Sequence, residues 1–322
     1  MSILRNLAIC ILGAVYMLSH TFSATAEELK LGTLGAFLQD TGKPDAPLVL
    51  IIPGSGAVDR DGNIPSMGMK PAIYRLLAGK LAERGIASVR IDKRGMHSSA
   101  SPEVAPNAAR MEIYADDIRA WITYLKQEYR RKNIWLLGHS EGGLVALLTA
   151  HQNQNGVCGL ILAATPGRKL GIVLREQLQK NLKHTTLLPT ALAAVESLEQ
   201  GKAVDTTEFP EPLMRLFRPA VQQYMIHQMR LDPAALLAPL SLPVLVVQGE
   251  SDLQVTPEDA QKLHGAKPDA TLALLPGVTH TLKEQPAGAS PSATYTDPDL
   301  PVAEMLVEKI AGFILEKQKR RQ

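Results

Sequence analysis

Apolar positions fall into two rhythms along this chain. Short, mostly apolar runs at 48–52, 86–91, 134–137, 160–163, 244–247 and 272–275 have the length of strands buried on both faces. Between them, 71–84, 111–129, 142–151, 257–264 and 301–315 place apolar residues at helical spacing, as with Ile73, Leu76, Leu77 and Leu81. Strand and helix in alternation predict an α/β architecture in which helices cover both faces of a mostly parallel sheet.

The rhythm breaks once. From 166 to 240 there is no strand pattern, only helix-patterned stretches at 170–182, 189–199 and 212–229 separated by joints rich in Pro, Gly and Thr. The expected organisation is a core of 27–165 and 241–322 with a helical cap inserted at 166–240. Apolar stripes on the cap, such as Leu178, Leu213, Phe217 and Met225, suit packing of the cap on itself and on the sheet. Residues 285–298 form a loop rich in Pro, Ser, Ala and Thr.

Residues 1–26 stand apart from this pattern. Arg5, an apolar run from Leu7 to Leu18 and the small-residue stretch ending Ala24-Thr25-Ala26 have the three-part layout of a secretory signal peptide, with cleavage expected after Ala26. A dozen helical residues would reach about 18 Å, short of a hydrocarbon core of about 30 Å, so a retained membrane anchor fits less well. Cys10 lies inside the apolar run, which argues against a lipid-modified start. The expected destination is the periplasm or the exterior. Cys158 is then the one cysteine left, so core packing rather than an intrachain disulfide has to stabilise the mature chain.

Composition narrows the function classes. A chain of 322 residues that is 45% hydrophobic and 20% charged can bury a large core, which excludes a disordered chain or a small disulfide scaffold. Lys+Arg 34 against Asp+Glu 32 leaves +2, with a basic cluster only at the C-terminal tail, and nucleic acid is not an expected partner.

Gly138-His139-Ser140-Glu141-Gly142 follows a predicted strand and opens a predicted helix. The pattern G-x-S-x-G is common by chance, but this position gives it meaning: a serine on a tight strand-to-helix turn needs small neighbours, and the helix N-terminus favours a developing anion. A serine hydroxyl becomes nucleophilic only when a base removes its proton, and the base needs a carboxylate to hold its tautomer. Two later strands end in suitable loops, Gln248-Gly249-Glu250-Ser251-Asp252 and Pro276-Gly277-Val278-Thr279-His280. Ser140, Asp252 and His280 are therefore the expected nucleophile, acid and base. Glu250 competes for the acid, but it follows its strand too closely. His264 competes for the base from within a predicted helix, and His139 is expected to hydrogen-bond structurally. The oxyanion donors expected are the N–H of Glu141, after the nucleophile, and that of Ser55, in the Pro53-Gly54-Ser55-Gly56 turn after the first core strand.

These residues resemble a known group, the bacterial α/β-hydrolase esterases whose oxyanion loop reads G-S-G-x-x-D-R-D-G-N. That stretch is here Gly54-Ser55-Gly56-Ala57-Val58-Asp59-Arg60-Asp61-Gly62-Asn63, accompanied by Leu81-Ala82-Glu83-Arg84-Gly85-Ile86-Ala87, Asp92-Lys93-Arg94-Gly95 and Gly138-His139-Ser140-Glu141-Gly142-Gly143. The resemblance spans about 48–315 and implies the α/β-hydrolase fold and a serine hydrolase acting on small carboxylic esters through an acyl-enzyme; the histidines and acids show no ligand spacing such as H-E-x-x-H, so no metal or organic cofactor is expected. A peptidase or amidase of the same fold, and a non-catalytic binding protein on the same scaffold, remain open readings. The sequence leaves oligomeric state open as well. Two departures, Ala57 where proline is usual and Met96-His97-Ser98 after the Asp-Lys-Arg-Gly run, bear on the shape of the pocket. The Asp59-Arg60-Asp61 cluster is expected to anchor its loop by pairing within itself or with Arg94.

Overall fold

Strand Leu48–Ile52 is buried at all five positions, and its side chains alternate between two cores: Leu48, Leu50 and Ile52 face one, Val49 and Ile51 the other. That is the signature of a strand inside a sheet covered on both faces. The computed structural model describes residues 25–101, 110–132, 134–290 and 292–320. Its strands are β1 (Ala26–Leu31), β2 (Leu34–Gln39), β3 (Leu48–Ile52), β4 (Ala87–Ile91), β5 (Ile134–His139), β6 (Val157–Ala163), β7 (Val244–Gly249) and β8 (Thr271–Leu275). They form one sheet in the order β1-β2-β4-β3-β5-β6-β7-β8. Strands β3 to β8 are mutually parallel, so their C-terminal loops open on one edge, where sites form in such sheets.

Helices α1 (Ile73–Glu83) and α11 (Glu304–Lys319) cover one face, and α2 (Met111–Gln127), α3 (Glu141–Gln152), α8 (Pro233–Leu237) and α9 (Pro257–Ala266) the other. This is the α/β-hydrolase fold that the sequence led one to expect. Every predicted core strand and helix is present within a few residues of its expected ends.

Two features differ from the sequence reading. The antiparallel hairpin β1-β2, which extends the sheet beyond β4, has no counterpart in the sequence reading. Only Leu29 of β1 is buried, because β1 is an edge strand; its exposed Glu27, Glu28 and Lys30 guard the open edge against pairing with another chain. The expected helix 212–229 is two helices, α6 (Glu211–Phe217) and α7 (Pro219–Arg230), because Arg218 is extended (ψ 143°), as the residue before a proline prefers. With α4 (Leu170–Leu182) and α5 (Leu188–Glu199), these helices surround a separate cluster that includes Leu178, Leu198, Phe217 and Met225. A short helix, α10 (Ala293–Thr296), precedes α11.

The expected signal peptide lies outside the described residues except for its last two, and the expected cleavage point after Ala26 falls within β1. No helix among the described residues is long and apolar enough to cross a membrane.

Candidate active site

Ser140 sits between β5 and α3 with φ 55° and ψ −123°, a left-handed backbone that a side-chain-bearing residue adopts only under constraint. The constraint is visible on both sides. Its N–H donates to the Ala163 carbonyl of the neighbouring strand at 2.9 Å, and its carbonyl accepts from Gly143 N at 3.0 Å. A Cβ on Gly138 would come within 2.3 Å of the Gly142 carbonyl oxygen, and one on Gly142 within 2.2 Å of the Ile52 carbonyl oxygen. The elbow glycines are thus required by backbone contact. The N-terminus of α3, almost wholly buried, points at the serine and supplies positive potential there.

Asp252 and His280 come from the loops after β7 and β8. His280 Nδ1 lies 2.8 Å from Asp252 Oδ2, and both side chains are buried. Asp252 Oδ1 also accepts from Gln254 N at 2.8 Å and Val255 N at 3.0 Å, and Gln248 Nε2 reaches Oδ2 at 3.1 Å. Burial alone would push this carboxyl up, yet His280 and the two amides together hold it below the usual carboxylate value. Glu250 is exposed and takes no part, and His264 stays in α9, away from the cavity described next.

Ser140 and His280 line a common cavity of about 90 Å³ together with Gly54 and Ser55, its far wall made by apolar residues such as Ile64, Met69 and Ile73. A second cavity of about 300 Å³ shares His280 and Tyr295 with the first. Among the described residues, no Asp, Glu, Lys or Arg lines either cavity. No group of three His, Cys, Asp or Glu side chains among the described residues is placed to hold a metal.

His139 hydrogen-bonds structurally, as its place in the turn suggested. Its Nδ1 lies 2.9 Å from the Tyr74 hydroxyl and its Nε2 2.8 Å from the His280 carbonyl oxygen, while Gly54 N donates to the same hydroxyl at 2.9 Å. Burial and the neighbouring His280 push His139 down to about 3, so it is neutral near pH 7. The donors follow: Gly54 N–H to Tyr74, Tyr74 O–H to Nδ1, and Nε2–H to the His280 carbonyl.

Residues that sequence reasoning missed are Tyr74, Gln248 and Lys93. Lys93 is 5% exposed, with Nζ 2.6 Å from the Gly54 carbonyl oxygen and 3.5 Å from Glu141 Oε1. Burial pushes its ammonium down and the Glu141 carboxylate pushes back. A lysine two residues past a fully buried strand was the available signal; Tyr74, on an ordinary helical stripe, offered none.

The Asp59-Arg60-Asp61 cluster does anchor its loop, but through other partners than expected. Asp59 Oδ1 accepts from the amides of Asp61 and Asn63 at 2.9 and 2.8 Å. Arg60 pairs with Glu28 of β1, Asp61 with Arg90, and Arg94 with Asp117 instead. The pairing was misjudged because β1 and the register of β4 decide which charges meet. The two sequence departures contact one another, His97 Nε2 lying 3.0 Å from the Ala57 carbonyl oxygen, and neither lines the smaller cavity.

Comparison with known proteins agrees with this architecture. The family model described as serine aminopeptidase, S33 (Hydrolase_4) matches residues 66–286. The esterase EstD of Thermotoga maritima is 27% identical over 231 residues, covering 71% of this chain and 52% of its own, so the chain spans about half the length of that curated relative. Among solved structures, Est1E of Butyrivibrio proteoclasticus with bound ferulic acid superposes at TM-score 0.59 and 19% identity, over 91% of this chain and 99% of that one. Proline iminopeptidase of Mycobacterium smegmatis gives 0.57 and 16% over 92% and 100%. A thermophilic esterase of Thermogutta terrifontis gives 0.55 and 19% over 92% and 100%. At these identities the structures show a shared fold.

Proposed function

The chain belongs to the serine aminopeptidase S33 (Hydrolase_4) family, and on that premise we propose that it is a serine hydrolase cleaving small, uncharged carboxylic esters through an acyl-enzyme. The observation that carries the reading is the buried Asp252–His280 pair, 2.8 Å apart, on the wall of the cavity that Ser140 also lines. Ser140 Oγ attacks the ester carbonyl carbon while His280 Nε2 takes its proton. Asp252 holds the other ring nitrogen and stabilises the imidazolium. The N–H groups of Glu141 and Ser55 receive the oxyanion. Collapse breaks the bond to the alcohol oxygen, which takes the proton from His280, and water then releases the acid by the same steps.

An ester is favoured over an aminopeptide on chemical grounds. An aminopeptidase has to hold its substrate's ammonium group, and among the described residues neither cavity presents a carboxylate to do so. The relative EstD of Thermotoga maritima, an esterase by name, leans the same way.

The test is hydrolysis of p-nitrophenyl butyrate beside that of aminoacyl p-nitroanilides, with fluorophosphonate labelling of the serine. Ser140→Ala is expected to lose labelling and at least about 10⁴-fold in kcat. Retained turnover in that variant removes the nucleophile, and faster cleavage of anilides than esters makes the protein a peptidase. Export to the periplasm or exterior belongs to the same proposal; it rests on the layout of residues 1–26 and is checked by finding Glu27 as the N-terminus of protein from its native host.

A further inference from the structure

Lys93 and Glu141 form an ion pair that water scarcely reaches, at 5% and 6% exposure. Such a pair is a poor source of stability, because desolvating two charges roughly cancels their attraction, and apolar replacements of similar volume often do as well. Its placement explains more. Lys93 Nζ holds the Gly54 carbonyl oxygen at 2.6 Å, and the Tyr114 ring lies 5.8 Å from the same ammonium.

The Gly54 carbonyl and the Ser55 N–H belong to one planar peptide unit. No peptide bond among the described residues is cis, so this C=O and N–H point in opposite directions. An ammonium fixed on the oxygen turns the Ser55 N–H away from Lys93. Ser55 and Ser140 line the same cavity, and Lys93 is not part of its wall. The amide before it, Gly54 N, is already committed to the Tyr74 hydroxyl. At the other end of the pair, Glu141 carries on its own backbone the N–H that follows the nucleophile.

We propose that the buried Lys93–Glu141 pair positions the oxyanion hole. It ties the loop after β3 to the first turn of α3, so that the Ser55 and Glu141 amides converge above Ser140. The cation on the carbonyl also polarises the Gly54–Ser55 peptide and strengthens its N–H as a donor. Both are positioning residues: neither side chain touches the substrate. The inference rests on the serine-hydrolase reading above.

The experiment compares wild type, K93M and the double variant K93M/E141Q in thermal midpoint, in kcat and KM for p-nitrophenyl acetate, and in Ki for an alkylboronic acid. The boronic acid forms a tetrahedral adduct on the serine and places an oxygen at the oxyanion position. K93M strands a buried carboxylate and loses both stability and rate. The double variant leaves no lone charge and recovers its thermal midpoint. Its kcat nevertheless stays down roughly 10- to 100-fold with KM little changed, and the boronate Ki rises in parallel. If kcat and boronate affinity return together with stability, the pair is only structural and the proposal falls. If wild-type protein neither turns over the ester nor binds the boronate while remaining folded, the serine-hydrolase reading falls first and takes this inference with it.

Discussion

Gly54 is gripped on both sides of its backbone by buried side chains, and the two grips work on opposite electrostatic terms. On its N–H side, Tyr74 and His139 form a chain without net charge in which each donor meets one acceptor and which ends on the His280 carbonyl. Burial keeps both members neutral, holding the phenol up and the imidazole down. On its C=O side, Lys93 and Glu141 form an ion pair held out of water. The neutral chain is satisfied by matching hydrogen bonds. The ionic pair is satisfied only while both partners are present, and it can deliver what the neutral chain cannot, a full charge against a peptide carbonyl.

The comparison breaks most sharply at Lys93. Lys93→Met removes one charge and leaves the Glu141 carboxylate buried without a counter-charge, which is expected to cost about 3–5 kcal/mol, read as a lower urea midpoint. Tyr74→Phe breaks the neutral side and leaves Gly54 N–H and His139 Nδ1 without partners, an expected loss of about 1–3 kcal/mol in the same measurement. If the two losses are equal, the ionic and neutral grips do not differ in kind.

The smallest effect is a slope. His139 titrates at about 3 in the folded protein against a usual 6.5, so the unfolded chain takes up its proton first as the pH falls. Native stability therefore declines as pH drops from about 6.5 towards 3, and His139→Gln should flatten that part of the profile even though it lowers stability at pH 8. Asp252 acts in the same sense but in a more acid window. Its carboxyl is held low, so its contribution is complete above the usual carboxylate value of 3.8 and is lost as the pH falls below it towards the folded value. Urea midpoints measured between pH 8 and 4 separate the two; an unchanged slope in the His139 variant would contradict the buried neutral imidazole.

Much of this architecture was legible in particular stretches. The run 48–52 announced a strand buried on both faces, and it is one. Ser140, Asp252 and His280 each followed a readable strand, and because β3 to β8 are parallel those three loops share an edge. The outer strand of the hairpin β1-β2 buries a single side chain, so hydrophobic patterning had little to report there. The break at Arg218 turned on one proline inside an otherwise continuous helical stripe.

Periodicity, turn residues and the order of chemistry-bearing side chains at strand ends are local properties, set within a window of a few residues, and the amino-acid sequence by itself determined them. The partners of those side chains were decided only by the tertiary structure. Lys93 meets a carbonyl 39 residues away and His139 one 141 residues away, across an interior whose sheet register and helix packing select which polar groups come within 3 Å. A buried group has to be satisfied by whatever the fold places beside it, and that neighbour is not encoded in the stretch where the group stands.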